Sequence, residues 1–160
     1  MNTSANPSIA VRDATMDDVE FMADCNRRLA VETEDKSLDR EVLAAGIRRG
    51  LTTPALCRYF IAEVGGRPAG TTMLTYELTD WRDGIIWWLQ SVYVLPEFRN
   101  IGVFRRVYSH IETLARRSPE VRALRLYVRG DNERAKRTYR AMGMASAGYE
   151  VLEKVWSKED

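Results

Sequence analysis

Apolar residues return at Phe104, Val107, Tyr108, Ile111, Leu114 and Ala115, the 3.6-residue period of an amphipathic helix carried over three turns. No other segment of the chain is as clearly periodic. Upstream, Thr15 and Asp18 have capping-box spacing, and Val19, Met22, Cys25, Asn26 and Leu29 follow as a mostly apolar stripe, which predicts a first helix over about 16–31. A shorter helix is expected over 40–49. The run Tyr59-Phe60-Ile61-Ala62-Glu63-Val64 reads as a strand ending in Gly65-Gly66, a hairpin signal, with its partner strand over 70–76. After a turn at 80–84, a further strand covers 85–94. Leu124, Leu126 and Val128 alternate with Arg125 and Tyr127 as in a strand. Asn132 or Asp131 then caps a helix with Ala135, Tyr139 and Met142 on one side, and Gly143 ends it. A last strand is expected over 149–156. The pattern predicts an α/β domain with a mixed, mainly antiparallel sheet. Trp87 and Trp88 fall on opposite faces of their strand, so both enter a core only if both faces are covered.

At 160 residues the chain is expected to form a single domain over 1–160, with 1–8, small and polar, as a flexible tail rather than a signal peptide. A composition of 45% hydrophobic and 29% charged residues is ordinary for a globular protein, and no apolar run approaches the ~20 residues of a membrane span. A soluble, cytoplasmic protein with no membrane partner is the expectation. Cys25 and Cys57 lack paired spacing and His110 is the only histidine, which argues against a metal site. His110 flanks its helix's apolar stripe and is expected on the surface. The net charge of +1 conceals a division: residues 1–98 carry ten Lys/Arg against fifteen Asp/Glu, and 99–140 carry twelve against four. The resulting −5 and +8 place a basic block where a polyanionic ligand would suit it. Glycine-rich dinucleotide and phosphate-loop motifs are absent, and aromatics scarcely mix with the basic residues, so nucleic acid is not an expected partner.

Two stretches carry candidate chemistry. In Val92-Tyr93-Val94-Leu95-Pro96-Glu97-Phe98-Arg99-Asn100-Ile101-Gly102-Val103-Phe104 a strand breaks at proline and a helix begins. Outward-pointing N–H groups at a helix start, beside a glycine that admits a phosphate to the backbone, suit an anion. In Asp131-Asn132-Glu133-Arg134-Ala135-Lys136-Arg137-Thr138-Tyr139, Asn132 and Tyr139 stand seven apart, two helical turns, and so share one side. Together these stretches resemble the Gcn5-related N-acetyltransferase (GNAT) family, over roughly Tyr59 to Met144 and in family order.

The resemblance implies a sheet flanked by helices on both faces and acetyl-CoA as cosubstrate. It assigns cofactor binding to Val92, Tyr93, Val94, Arg99, Asn100, Ile101, Gly102, Val103, Phe104, Asn132 and Tyr139. The family's anion motif, Arg/Gln-x-x-Gly-x-Gly/Ala, is met by Arg99 and Gly102 and departed from at Phe104, which keeps its N–H. Asn132 would contact the pantetheine arm, Tyr139 the thioester sulfur, and N–H groups within Val92 to Val94 the carbonyl. Tyr139 would then act as general acid. Several relatives carry a glutamate where this chain has Gln90, so candidate bases shift to Glu32 and Glu34 at the end of the first helix. Acids there would also attract an ammonium substrate. Independently of the resemblance, Trp81, Trp87 and Trp88 cluster at the turn and strand before this site, and one of them is a candidate apolar or cation–π wall for the acceptor. The implied activity is N-acetyl transfer to a primary amine of a small molecule or protein, by direct attack in a ternary complex. A non-catalytic acyl-CoA-sensing module is the alternative, motivated by Gln90 and Phe104. Many relatives are dimers, and a homodimer is compatible with this chain.

Overall fold

Alternation along Cys57–Val64 buries both sides of one strand, and that requirement sets the architecture. In the computed structural model, which describes residues 8–156, five strands form one sheet: β1 (Ile9–Asp13), β2 (Cys57–Val64), β3 (Arg67–Thr79), β4 (Gly84–Val94) and β5 (Val121–Leu126). Their spatial order is β1-β2-β3-β4-β5. The first four pair antiparallel and β4 pairs with β5 in parallel, so the sheet is mixed and mainly antiparallel. The parallel step needs a crossover, supplied by helix α3 (Val103–Arg117).

One face of the sheet carries α1 (Val19–Glu34) and α2 (Arg40–Leu51), whose Val19, Met22, Ala23, Ala44 and Ile47 cluster with Cys57, Tyr59 and Ile61 of β2. Phe60 points the other way and meets His110 of α3 edge-on, with ring centroids 5.5 Å apart. His110 is therefore half-buried rather than on the surface, and burial lowers its imidazole below the ordinary value. Trp87 and Trp88 occupy opposite faces as alternation requires: Trp87 lies 6.2 Å from Tyr76, and Trp88 stacks on Tyr127 at 4.5 Å.

The described residues divide into two compact units, the first ending at Tyr127 and the second beginning at Val128 and containing helix α4 (Glu133–Ala141). Among them no helix is long and apolar enough to cross a membrane. Several boundaries move from expectation. The Thr15–Asp18 box opens a single 3-10 turn at Met16–Asp18, and α1 proper runs on to Glu34. β5 spans Val121–Leu126 rather than starting at Leu124, because Ile85 N–H already reaches the Glu120 carbonyl at 2.8 Å. The strand expected over 149–156 does not form, and Leu152, Val155 and Trp156 are exposed. Alternation supplies a face, but a strand also needs a neighbour to bond. Residues 1–7 of the expected tail lie outside the described residues, whereas the Ser8 carbonyl accepts the Gly65 N–H at 3.0 Å.

Candidate active site

β3 and β4 fall out of register at one point. Thr71 faces Tyr93 and Met73 faces Gln90, so Ser91 and Val92 together oppose Thr72, a β-bulge on β4. Ser91 takes φ 49° to accommodate the extra residue. β4 is paired with β5 only as far as Leu89↔Leu126, and beyond that pair its second edge is open among the described strands. Leu95 N–H bonds the Ala69 carbonyl at 2.8 Å. Alternation then turns the N–H and C=O of Val94 towards the open edge, where the carbonyl accepts Arg99 Nε at 2.9 Å.

The loop after β4 passes through two left-handed positions, Asn100 (φ 65°) and Gly102 (φ 92°), before α3 begins at Val103. The Gly102 carbonyl accepts the Arg106 N–H at 3.0 Å, so the N–H groups of the first turn point out of the helix start. No atom lies within 4 Å of where a Gly102 Cβ would stand, and the loop offers bare backbone at that point. Bare backbone at a helix start is a geometry that an anion can approach. Val103 is buried and anchors the turn, Ile101 and Arg105 are exposed, and the Phe104 ring is directed along its own helix, 6.4 Å from Tyr108.

The end of α1 reaches the same junction. Glu32 Oε1 accepts the Tyr93 hydroxyl at 2.5 Å, and Oε2 accepts Arg99 Nη2 at 2.8 Å. The Arg99 guanidinium also lies over the Tyr93 ring, 5.2 Å from its centroid. Burial by itself would raise the Glu32 carboxyl, but the two donors outweigh it and hold the group below the ordinary carboxylate range. Burial and the Glu32 hydrogen bond push the Tyr93 phenol up to about 12. Of the residues expected in the site, the fold thus gathers Glu32, Tyr93, Val94 and Arg99. Glu34, on the last turn of α1, pairs with Lys36 at 2.6 Å.

Gln90 donates to Thr75 Oγ1 at 2.6 Å. Beside it on the α1 face, Trp88 Nε1 donates to Glu77 Oε2 at 2.6 Å and Arg125 Nη1 to Glu77 Oε1 at 3.2 Å. Sequence reasoning passed over Glu77, although a lone acid near the end of an otherwise apolar and hydroxylated strand was the available signal. Trp81 stands 89% exposed. In the second unit, Asn132 Oδ1 accepts the Ala135 N–H at 3.0 Å and so caps α4, with Tyr139 two turns further along the same helix. Tyr139 is half-buried, and burial raises its phenol above the ordinary value, so it remains protonated at neutral pH.

The model of the Acetyltransferase (GNAT) family matches residues 20–144, a span that holds the bulge, the Gly102 loop and α4. The chain belongs to the GNAT family. A possible acetyltransferase from Clostridium difficile 630 is 35% identical to it over 94% of this chain and 99% of its own, with a TM-score of 0.87. At lower identity the GNAT fold is shared with two further structures. One is a predicted acetyltransferase with acetyl-CoA from Clostridium acetobutylicum (16% identity, TM-score 0.72, 91% of this chain and 96% of that one). The other is glucosamine-6-phosphate N-acetyltransferase from Arabidopsis thaliana (16%, 0.70, 92% and 98%). No curated protein sequence matches the chain.

Proposed function

We propose that this GNAT-family protein transfers an acetyl group from acetyl-CoA to a primary amine of a small molecule or protein, by direct attack in a ternary complex. The observation that carries the reading is the open β4 edge beyond Leu89, continuous with the bare-backbone loop at Gly102. One provides donors for a carbonyl oxygen and the other provides donors for a pyrophosphate. The solved relative with acetyl-CoA supports the same cosubstrate. In this reading the backbone of the loop formed by Arg99, Asn100, Ile101, Gly102, Val103 and Phe104 holds the pyrophosphate. Asn132 contacts the pantetheine arm, and backbone N–H groups within Val92, Tyr93 and Val94 face the thioester carbonyl.

The amine nitrogen bonds to the carbonyl carbon as the carbon–sulfur bond breaks. Glu34 takes the proton that the amine gives up, and Tyr139 returns one to the sulfur. Glu32, whose oxygens accept from the Tyr93 hydroxyl and Arg99, is the other candidate for base. The reading includes a cytoplasmic location, where acetyl-CoA is available. It predicts that Tyr139→Phe lowers kcat by ~10²-fold or more with little change in acetyl-CoA affinity, as loss of a general acid does. Turnover equal to wild type removes Tyr139 from the mechanism. Calorimetric titration with acetyl-CoA, with desulfo-CoA and ADP as controls, tests the site itself. Saturable binding without turnover on any primary amine would leave an acyl-CoA-sensing module, the reading that Gln90 in place of a carboxylate favours.

A further inference from the structure

Past the Leu89↔Leu126 pair, β4 pairs among the described strands with β3 alone, through Gln90↔Met73 and then, after the bulge, Tyr93↔Thr71 and Val94↔Gly70. A strand end secured on one edge behind a register break tolerates rotation and shift. Yet the Val92-to-Val94 backbone is where an acyl carbonyl has to be met with little positional error. Donors aimed at developing charge lose their advantage when displaced by as little as ~1 Å.

Glu32 reaches both this strand end and the loop beyond it. Its two oxygens are divided between the Tyr93 hydroxyl and the Arg99 guanidinium, and the same guanidinium donates through Nε to the Val94 carbonyl. Three separate parts of the chain, α1, β4 and the phosphate-type loop, are thereby joined through one carboxylate. Arg99 is a suitable bridge because its planar fork presents several donors at fixed angles. Much of its charge is met by Glu32, so its part here is geometric more than electrostatic.

We infer that Glu32 is a positioning residue for acetyl transfer, holding the Val92-to-Val94 edge in register with the Gly102 loop through Tyr93 and Arg99. The inference rests on the acetyltransferase reading above. Tyr93 is buried, but the Glu32 and Arg99 side chains are 41% and 35% exposed, so the clasp contributes little to global stability. Its effect falls on the reaction instead.

The test uses the full chain and a panel of primary amines, with thiol release from acetyl-CoA as the assay, on Glu32→Gln, Tyr93→Phe, the double variant and Glu32→Asp. Glu32→Gln is expected to lower kcat about tenfold or more while the Kd for desulfo-CoA stays within about threefold. The thermal midpoint should scarcely move. Tyr93→Phe should reproduce part of the loss, and the double variant should be no slower than the slower single variant, as for residues acting as one unit. Glu32→Asp, which keeps the charge at shorter reach, should recover part of kcat. A wild-type kcat in Glu32→Gln overturns the inference, and so do losses that multiply in the double variant. A kcat loss in Glu32→Gln that Tyr93→Phe does not share would mark Glu32 as the base. If wild-type protein releases no thiol with any amine, the acetyltransferase reading itself falls and takes this inference with it.

Discussion

At the level of single residues, the strongest electrostatic commitment outside the site is the pair Arg12 and Asp18. Arg12 donates through Nη1 and Nη2 to the two Asp18 oxygens at 2.8 and 2.9 Å and through Nε to Glu63 at 2.7 Å. Asp18 is buried and also accepts the Thr15 N–H at 2.8 Å, closing the turn that leads into α1. Hydrogen bonds from Arg12, more than any other influence, hold the Asp18 carboxyl below its ordinary value despite burial. A carboxylate depressed on folding contributes stability that is fully present above the unfolded value, about 4, and is lost as pH falls through the lower folded value. Asp18→Asn is therefore expected to cost ~1–3 kcal/mol at pH 7, the range for leaving a buried hydrogen-bonding group short of a partner. The variant should also lose less stability than wild type between pH 5 and about 2. Urea midpoints for both proteins across that range check it, and parallel curves would contradict it.

The elements differ in how much of them the sequence disclosed. α3 was readable because a long amphipathic stripe is a local property: Val107, Ile111 and Ala115 are buried where the period places them. The expected strand over 149–156 failed because pairing is not local, and the same limit hid the bulge at Ser91. The Glu32 clasp was beyond reach for a related reason. Its partners lie 61 and 67 residues away in sequence, and no spacing rule connects them. Glu32 itself was visible as an acid at the end of a helix, but its engagement was not. Two glycines now separate what β3–β4 packing requires from what the loop requires. A Cβ on Gly70 would stand 2.6 Å from the Tyr93 carbonyl oxygen, so Gly70→Ala must push β3 from β4 at the bulge. That overpacking is expected to cost ~1–3 kcal/mol of stability and to lower kcat. Gly102→Ala meets no protein atom within 4 Å, and its cost comes from the left-handed backbone, φ 92°. About 1–2 kcal/mol of stability is expected there, together with weaker acetyl-CoA binding as the methyl enters the phosphate cradle. Denaturant midpoints and calorimetry separate the two, and a Gly102→Ala protein with unchanged acetyl-CoA affinity would argue against the cradle.

For the molecule as a whole, charge is the property that outlasts local detail. The −5 of residues 1–98 beside the +8 of residues 99–140 is hidden in a net charge of +1. Part of the basic block is met locally, as where Arg116 pairs with Glu112 and Lys136 with Glu133. Arg105, by contrast, stands exposed on the turn of α3 next to the Gly102 loop, where its exposed neighbour Arg106 donates through Nε to the Ile9 carbonyl at 3.4 Å. A multiply charged phosphate ligand meeting exposed cations across solvent is screened once separations exceed the Debye length, about 10 Å at 0.1 M salt and 3 Å at 1 M. Acetyl-CoA binding should therefore weaken by several-fold, on the order of 3 to 10, between 50 and 500 mM NaCl. Arg105→Ala should flatten that dependence. Glu32→Gln should leave its slope nearly as in wild type if Arg99 serves geometry rather than charge. Calorimetric Kd values for wild type and both variants at four salt concentrations decide the matter. A wild-type affinity indifferent to salt would mean that the backbone cradle and the pantetheine contacts, not the basic block, hold the cofactor. A steeper slope in Glu32→Gln would mean that Arg99, once released from its carboxylate, turns to the phosphates.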